Sequence, residues 1–175
     1  MRSQKIDKEA INLVFRLLTP ENRVIMRVAI ATGLRIDDVL GIKTEQLMQK
    51  SFTVREKKTG KKRKIELSER LKIEMMRFAG AVYAFPHRDD AKKHKTRQAV
   101  WKDMKRAAWA LRISENVTPH SARKIFADLA MQRYGSLEKV QKLLNHSSPE
   151  VTYFYYLVEL QKKPPKSHEN DIVAW

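Results

Sequence analysis

Mainly α with a small antiparallel three-stranded β-sheet is the fold class that this sequence predicts. Two observations carry the prediction. Apolar residues recur at helical spacing through most of the chain, whereas the stretch from Leu47 to Leu67 is short-period and breaks at Lys58-Thr59-Gly60-Lys61. The 175 residues, free of internal repeats, suit one domain with a buried core.

The elements follow in order. Ile6, Ile11, Val14, Phe15 and Leu18 share a helical face that ends before Thr19-Pro20. Thr19 is expected to cap a second helix, with Pro20 at its first position and Val24, Ile25, Val28 and Ala29 on its inner face. Thr32-Gly33 closes that helix, and Asp37 to Ile42 reads as another short one. Leu47-Met48, Phe52 to Arg55 and Arg63 to Leu67 are the expected strands, with a hairpin turn near Gly60. Helical spacing resumes after Ser68 through Leu71, Met75 and Phe78, and His87 to Lys95 is a polar loop. Thr96 to Leu111 makes a basic helix in which Trp101 and Trp109, eight apart on one face, are expected in the core. Pro119 to Tyr134, Leu137 to Leu144 and Pro149 to Leu157 complete the helices, and Pro164-Pro165 opens a loosely held tail.

Composition narrows the function. Lys and Arg total 36 against 20 Asp and Glu, a formal charge of +16, so a polyanion is the first partner to consider. No apolar run approaches the ~18 residues of a membrane span, and no signal-peptide pattern opens the chain. The chain has no cysteine, which excludes disulfides and thiolate metal sites. A soluble, cytoplasmic protein fits, with nucleic acid the first candidate partner ahead of an anionic membrane surface, and no membrane partner is expected.

The chemistry concentrates between Thr118 and Tyr156. His120 and Arg123 sit one helical turn apart, and Pro119 places His120 in the first turn, where free N–H groups favour an anion. His146 follows the next helix, and Tyr153, Tyr155 and Tyr156 come soon after. Imidazole, guanidinium and phenol together suit attack on a phosphate diester by an oxygen nucleophile. Singly, each residue is as readily a cap or a packing group.

Taken in order, these residues resemble the catalytic domain of the tyrosine recombinases, the phage integrase family. ATGLRIDDVLGIK is similar to the segment holding the family's first active-site arginine, here Arg35, with Asp38 at the position of a supporting acid. EKKTGKKRKIEL resembles the β-hairpin with the catalytic lysine, and its Lys-Thr-Gly selects Lys58 over Lys57. TPHSARKIFA matches the His-x-x-Arg box through His120 and Arg123, and LLNHSSPEVTYFYY resembles the segment joining the last histidine to the nucleophile. The family's tyrosine lies nine residues after that histidine, which selects Tyr155, with Tyr156 the adjacent alternative and Tyr153 a distant third. Asn145 stands where the family usually has glycine, and asparagine tolerates the left-handed backbone such a turn uses.

The resemblance implies DNA cleavage by transesterification with no metal or other cofactor. Tyr155 would attack a backbone phosphate, leaving a 3′-phosphotyrosyl link and a free 5′-hydroxyl. Arg35 and Arg123 would clamp the charged transition state, His120 would act as base, Lys58 as acid, and His146 would donate a hydrogen bond to the phosphate. Lys57, Lys61, Lys62, Arg97, Lys102, Lys105 and Arg106 are the expected contacts to double-stranded DNA. The resemblance runs from about Arg23 to Tyr156. It implies a catalytic domain over residues 1–157 and a tail over 158–175 exchangeable between protomers, without the N-terminal clamping domain of typical members. A monomer when free and a homotetramer on DNA are expected. The rival functions are a DNA-binding regulator or decoy of the same fold, and a type IB topoisomerase-like relaxing activity.

Overall fold

A computed structural model describes residues 8–114 and 116–144. The chain divides into two compact units, residues 1–126 and 127–175. The helix expected over Pro149 to Leu157, the tail, and the candidate residues His146, Tyr153, Tyr155 and Tyr156 lie outside the described residues.

In the first unit, α1 (Lys8–Leu17) turns Ile11, Val14 and Phe15 inward, and Leu18 just after it is also buried. The next helix, α2 (Pro20–Thr32), begins at the expected proline, but Thr19 does not cap it through its side chain. Its N–H and hydroxyl both donate instead to Asp103 Oδ2, at 2.9 and 3.0 Å, a charge-assisted pair of bonds that ties the start of the helix to that distant carboxylate. At the far end Gly33 adopts φ 65° and returns its N–H to Ala29 O. Two features demand glycine there. The left-handed backbone is one, and the other is the Phe126 ring, which a Cβ on residue 33 would strike.

Arg35 stands extended at the N-cap position of α3 (Ile36–Leu40), which buries Asp38, Val39 and Leu40. The expected first strand at Leu47-Met48 is instead the end of a single turn, α4 (Thr44–Leu47). The Gln46 side chain accepts the Lys43 N–H at 2.8 Å to start that turn, Leu47 packs inward and Met48 is exposed. Two apolar residues in a row carry no period, so the local cap decided the conformation. The sheet among the described residues therefore has two strands, not three: β1 (Ser51–Arg55) and β2 (Lys62–Glu66), antiparallel. Their register pairs Phe52 with Ile65 and Val54 with Arg63.

Ser68 accepts the Leu71 N–H to cap α5 (Glu69–Met76), and Thr96 accepts the Ala99 N–H to cap α6 (Arg97–Ala110). Helix α6 packs against α1, while α2 packs against α3 and α5. The buried stripe of α6 is Val100, Met104, Ala107 and Ala108, each large member worth roughly 1.5–3 kcal/mol of apolar burial. The tryptophans overturn their expectation, with Trp101 45% and Trp109 83% exposed. They do share a face, but it is the solvent face: the buried face of α6 is the one that carries Val100, Met104, Ala107 and Ala108.

Helix α7 (His120–Tyr134) starts in the first unit and runs into the second. In the second unit Gly135 at φ 58° ends α7, and α8 (Leu137–Leu144) follows with Val140 and Leu144 buried. Among the described residues no helix is long and apolar enough to cross a membrane.

Candidate active site

The first unit brings Arg35, Lys58, His120 and Arg123 to one place, and it does so through the backbone of residues 32–35. Arg123 lies on the first turn of α7 with 4% exposure, and its Nη1 donates to Gly33 O at 2.5 Å. Arg63, on β2, donates through Nη2 to Thr32 O. The Thr32 hydroxyl donates to Val28 O at 2.7 Å and accepts the Leu34 N–H at 3.2 Å. This segment is thus gripped by the hairpin and by α7 just before Arg35 emerges from it.

Arg35 reaches across to Glu56, donating through Nη1 to Oε2 at 2.6 Å. Glu56 is fully buried, and the Thr59 hydroxyl donates to the same Oε2 at 3.3 Å. Arg63 Nη1 lies 3.9 Å from Glu56 Oε1. Asp38 answers from the other side, accepting the Lys57 N–H on Oδ1 at 2.9 Å. Burial raises the pKa of Asp38; the Lys57 N–H opposes that rise and the nearby Glu56 charge reinforces it. Burial likewise lowers the pKa of Arg63, and the Glu56 charge works against that fall.

The hairpin turn separates its two adjacent lysines. Lys57 directs Nζ at His94 Nε2, 3.1 Å away, and His94 Nδ1–H donates to Lys95 O at 2.8 Å, which leaves Nε2 as the acceptor. Lys58 is exposed, and its charge reaches His120. His120 keeps an exposed edge, yet the protein around its ring strips water from it. That desolvation, with the positive field of Lys124, Arg123, Arg35 and Lys58, lowers its pKa below the ordinary 6.5. Four cations around one neutral imidazole make a pocket of positive potential suited to a phosphate.

The expected DNA contacts divide. Lys61, Lys62 and Lys102 are exposed, and Arg97 lies on the surface 3.7 Å from Asp37 Oδ2. Lys105 donates to Asn116 Oδ1 at 2.6 Å and stands 5.7 Å from the Trp101 ring. Arg106 is a structural link, holding Asp103 Oδ1 through Nε and Nη2 at 2.9 and 2.7 Å and donating also to Leu17 O.

Glu56, Arg63 and Lys124 were not expected in this cluster. The first had a legible signal: Phe52, Val54 and Glu56 fall on the same phase of β1 and its extension, and all three are buried. Arg63, opposite Val54 in the register, shares that inward side. Among the described residues no group of three or more His, Cys, Asp or Glu is placed to hold a metal ion.

A sequence profile of the Phage integrase family matches residues 5–162. Tyrosine recombinase XerD of Lacticaseibacillus casei is 29% identical over 77% of this chain and 49% of its own length. Tyrosine recombinase XerA of Pyrococcus horikoshii is 30% identical over 77% and 49%. The probable integrase/recombinase YoeC of Bacillus subtilis is 33% identical over 72% and 71%. The chain thus spans about half the length of the first two relatives. Among solved structures, a lambda integrase dimer bound to a COC′ core site superposes with a TM-score of 0.75 at 19% identity, covering 98% of this chain and 52% of that one. XerA recombinase superposes at 0.69 and 18% identity, covering 93% and 64%. These likenesses establish the fold.

Proposed function

The chain belongs to the phage integrase family, and from that membership we propose that it is the catalytic domain of a site-specific recombinase that cleaves and rejoins DNA strands through a 3′-phosphotyrosyl intermediate. The observation that carries the proposal is the gathering of Arg35, Lys58 and Arg123 around a His120 whose pKa is depressed.

The chemistry follows from those groups. Attack on a backbone phosphate builds charge on the two non-bridging oxygens, and the guanidiniums of Arg35 and Arg123 stabilise it by charge-assisted hydrogen bonds. A phenol of pKa near ~10 needs a base, and a depressed pKa keeps the His120 imidazole neutral and able to accept its proton. Lys58 protonates the departing 5′-oxygen. Tyr155 forms the bond to phosphorus as the 5′-oxygen bond breaks, and His146 donates to the phosphate. The phosphotyrosyl link retains the bond energy, so a 5′-hydroxyl reverses the step without ATP. The exposed Lys61, Lys62 and Lys102 hold the flanking phosphates of double-stranded DNA. The protein acts in the cytoplasm, as a monomer when free and a homotetramer on DNA.

The test is covalent capture. Incubation with nicked duplexes randomised around the nick gives a protein–DNA adduct on a denaturing gel. Tyr155→Phe abolishes the adduct and Tyr156→Phe retains it. The reverse pattern reassigns the nucleophile. No adduct with the unaltered protein at low salt refutes cleavage and leaves a DNA-binding module.

A further inference from the structure

Arg35 and the turn bearing Lys58 come from segments with no covalent reason to keep a fixed separation, and one buried side chain joins them. Glu56 accepts Arg35 Nη1 at 2.6 Å through its carboxylate. Its main chain holds the turn from both sides, donating its N–H to Lys61 O at 3.0 Å and accepting the Gly60 N–H at 2.8 Å. The Thr59 hydroxyl, next to Lys58, reaches Oε2 at 3.3 Å. Asp38 closes the loop in the opposite sense by holding the Lys57 N–H, so each segment grips the other.

We propose that Glu56 is a positioning residue for strand cleavage: it fixes the Arg35 guanidinium relative to the Lys58 turn, so that both cations meet one scissile phosphate. The proposal rests on the recombinase reading above. Three properties favour it over a purely structural role. Glu56 is fully buried, so water does not compete for its oxygens. Its short bond to Arg35 anchors one terminal nitrogen of a planar fork, which limits how far the guanidinium can swing. Its two oxygens face different arginines, Arg35 from Oε2 and Arg63 from Oε1. A carboxylate accepts on both sides, whereas an amide offers an acceptor on one side and a donor on the other.

Glu56→Gln therefore separates shape from charge, and Glu56→Asp keeps the charge at shorter reach. The readouts are the single-turnover rate of adduct formation at saturating nicked DNA, the DNA Kd, the thermal midpoint, and the Arg35 guanidinium NMR signals in the free protein. Slow rotation of the Arg35 guanidinium in the unaltered protein, averaged in Glu56→Gln, is expected. So is a loss of at least about tenfold in adduct rate for a folded Glu56→Gln, with Kd changed less than about threefold and partial recovery in Glu56→Asp. Freely rotating Arg35 signals in the unaltered protein overturn the proposal. A folded Glu56→Gln that forms adduct at the unaltered rate does the same. Should the unaltered protein form no adduct, the recombinase reading fails, and the Arg35 signals still decide whether Glu56 holds that side chain.

Discussion

Two buried carboxylate centres in the first unit are built to opposite ends. At Asp103 the donors are plentiful: Thr19 N–H, Thr19 hydroxyl and Asn22 Nδ2 reach Oδ2, and Arg106 reaches Oδ1 twice. Burial pushes this pKa up, but the Asn22, Thr19 and Arg106 donors outweigh it and hold it below the ordinary value. At Asp38, beside Glu56, the pairing is incomplete. Asp38 Oδ2 and Arg63 Nη1 are buried without a hydrogen-bond partner, and the Asp38 pKa is raised. Asp103 ties the α1–α2 junction to α6 with donors on both of its oxygens, and the polar demand left unmet beside it is on Asn22, whose Oδ1 is buried without a hydrogen bond. The Arg35 cluster carries more positive charge than its acids offset, which is useful only if an anion arrives. Stability and readiness for a ligand call for different degrees of satisfaction.

Substitutions at the two centres should separate these roles. The largest effect is expected from Arg35→Ala, which removes an electrostatic clamp and lowers the single-turnover rate of adduct formation about 10²–10³-fold. Its urea midpoint falls as well, because the buried Glu56 carboxylate loses its 2.6 Å partner; the rate is therefore read on the folded fraction, and an unaltered rate there would erase the contrast with Asp103. Next comes Asp103→Ala, which leaves the Thr19 and Asn22 donors without their acceptor and costs about 1–3 kcal/mol in urea denaturation, the desolvation penalty of an unsatisfied buried donor. Adduct formation by its folded fraction is unchanged.

The smallest effect is in pH. A depressed His120 pKa favours the neutral ring in the folded protein, so the stability it contributes is present above 6.5 and is lost as pH falls below that value. The acid limb of kcat/KM should have its midpoint below pH 6.5 and be absent in His120→Gln. A midpoint above 6.5 in the free enzyme would contradict the crowding of cations around the ring.

The helices were legible because their apolar residues repeat over many turns. Pro20 and Gly33 mark α2 as the sequence suggests, and the helices expected after Ser68 and from Thr96 form there, with those two residues as caps that helical spacing alone does not name. What sequence misread were features decided by distant partners. Nothing near Thr19 shows that Asp103 will take its hydroxyl, and nothing near Trp109 shows that the stripe beside α1 belongs to Val100, Met104 and Ala107. Of the six residues expected to act, Arg35, Lys58, His120 and Arg123 meet in the first unit. His146 and Tyr155 lie outside the described residues. Glu56 was passed over because a charge inside a basic hairpin reads as solvated surface, although its strand phase pointed inward.

Gly33 has a consequence for how this sequence can change over time. Its carbonyl receives Arg123, its missing side chain leaves room for the Phe126 ring, and Arg35 follows two residues later. A lineage that replaces this glycine must shrink the ring at 126 and also carry a side chain on left-handed backbone, or else move one of the two arginines. The dependence runs one way: position 126 can shrink while Gly33 stays, whereas a library that randomises position 33 alone samples mainly inactive descendants.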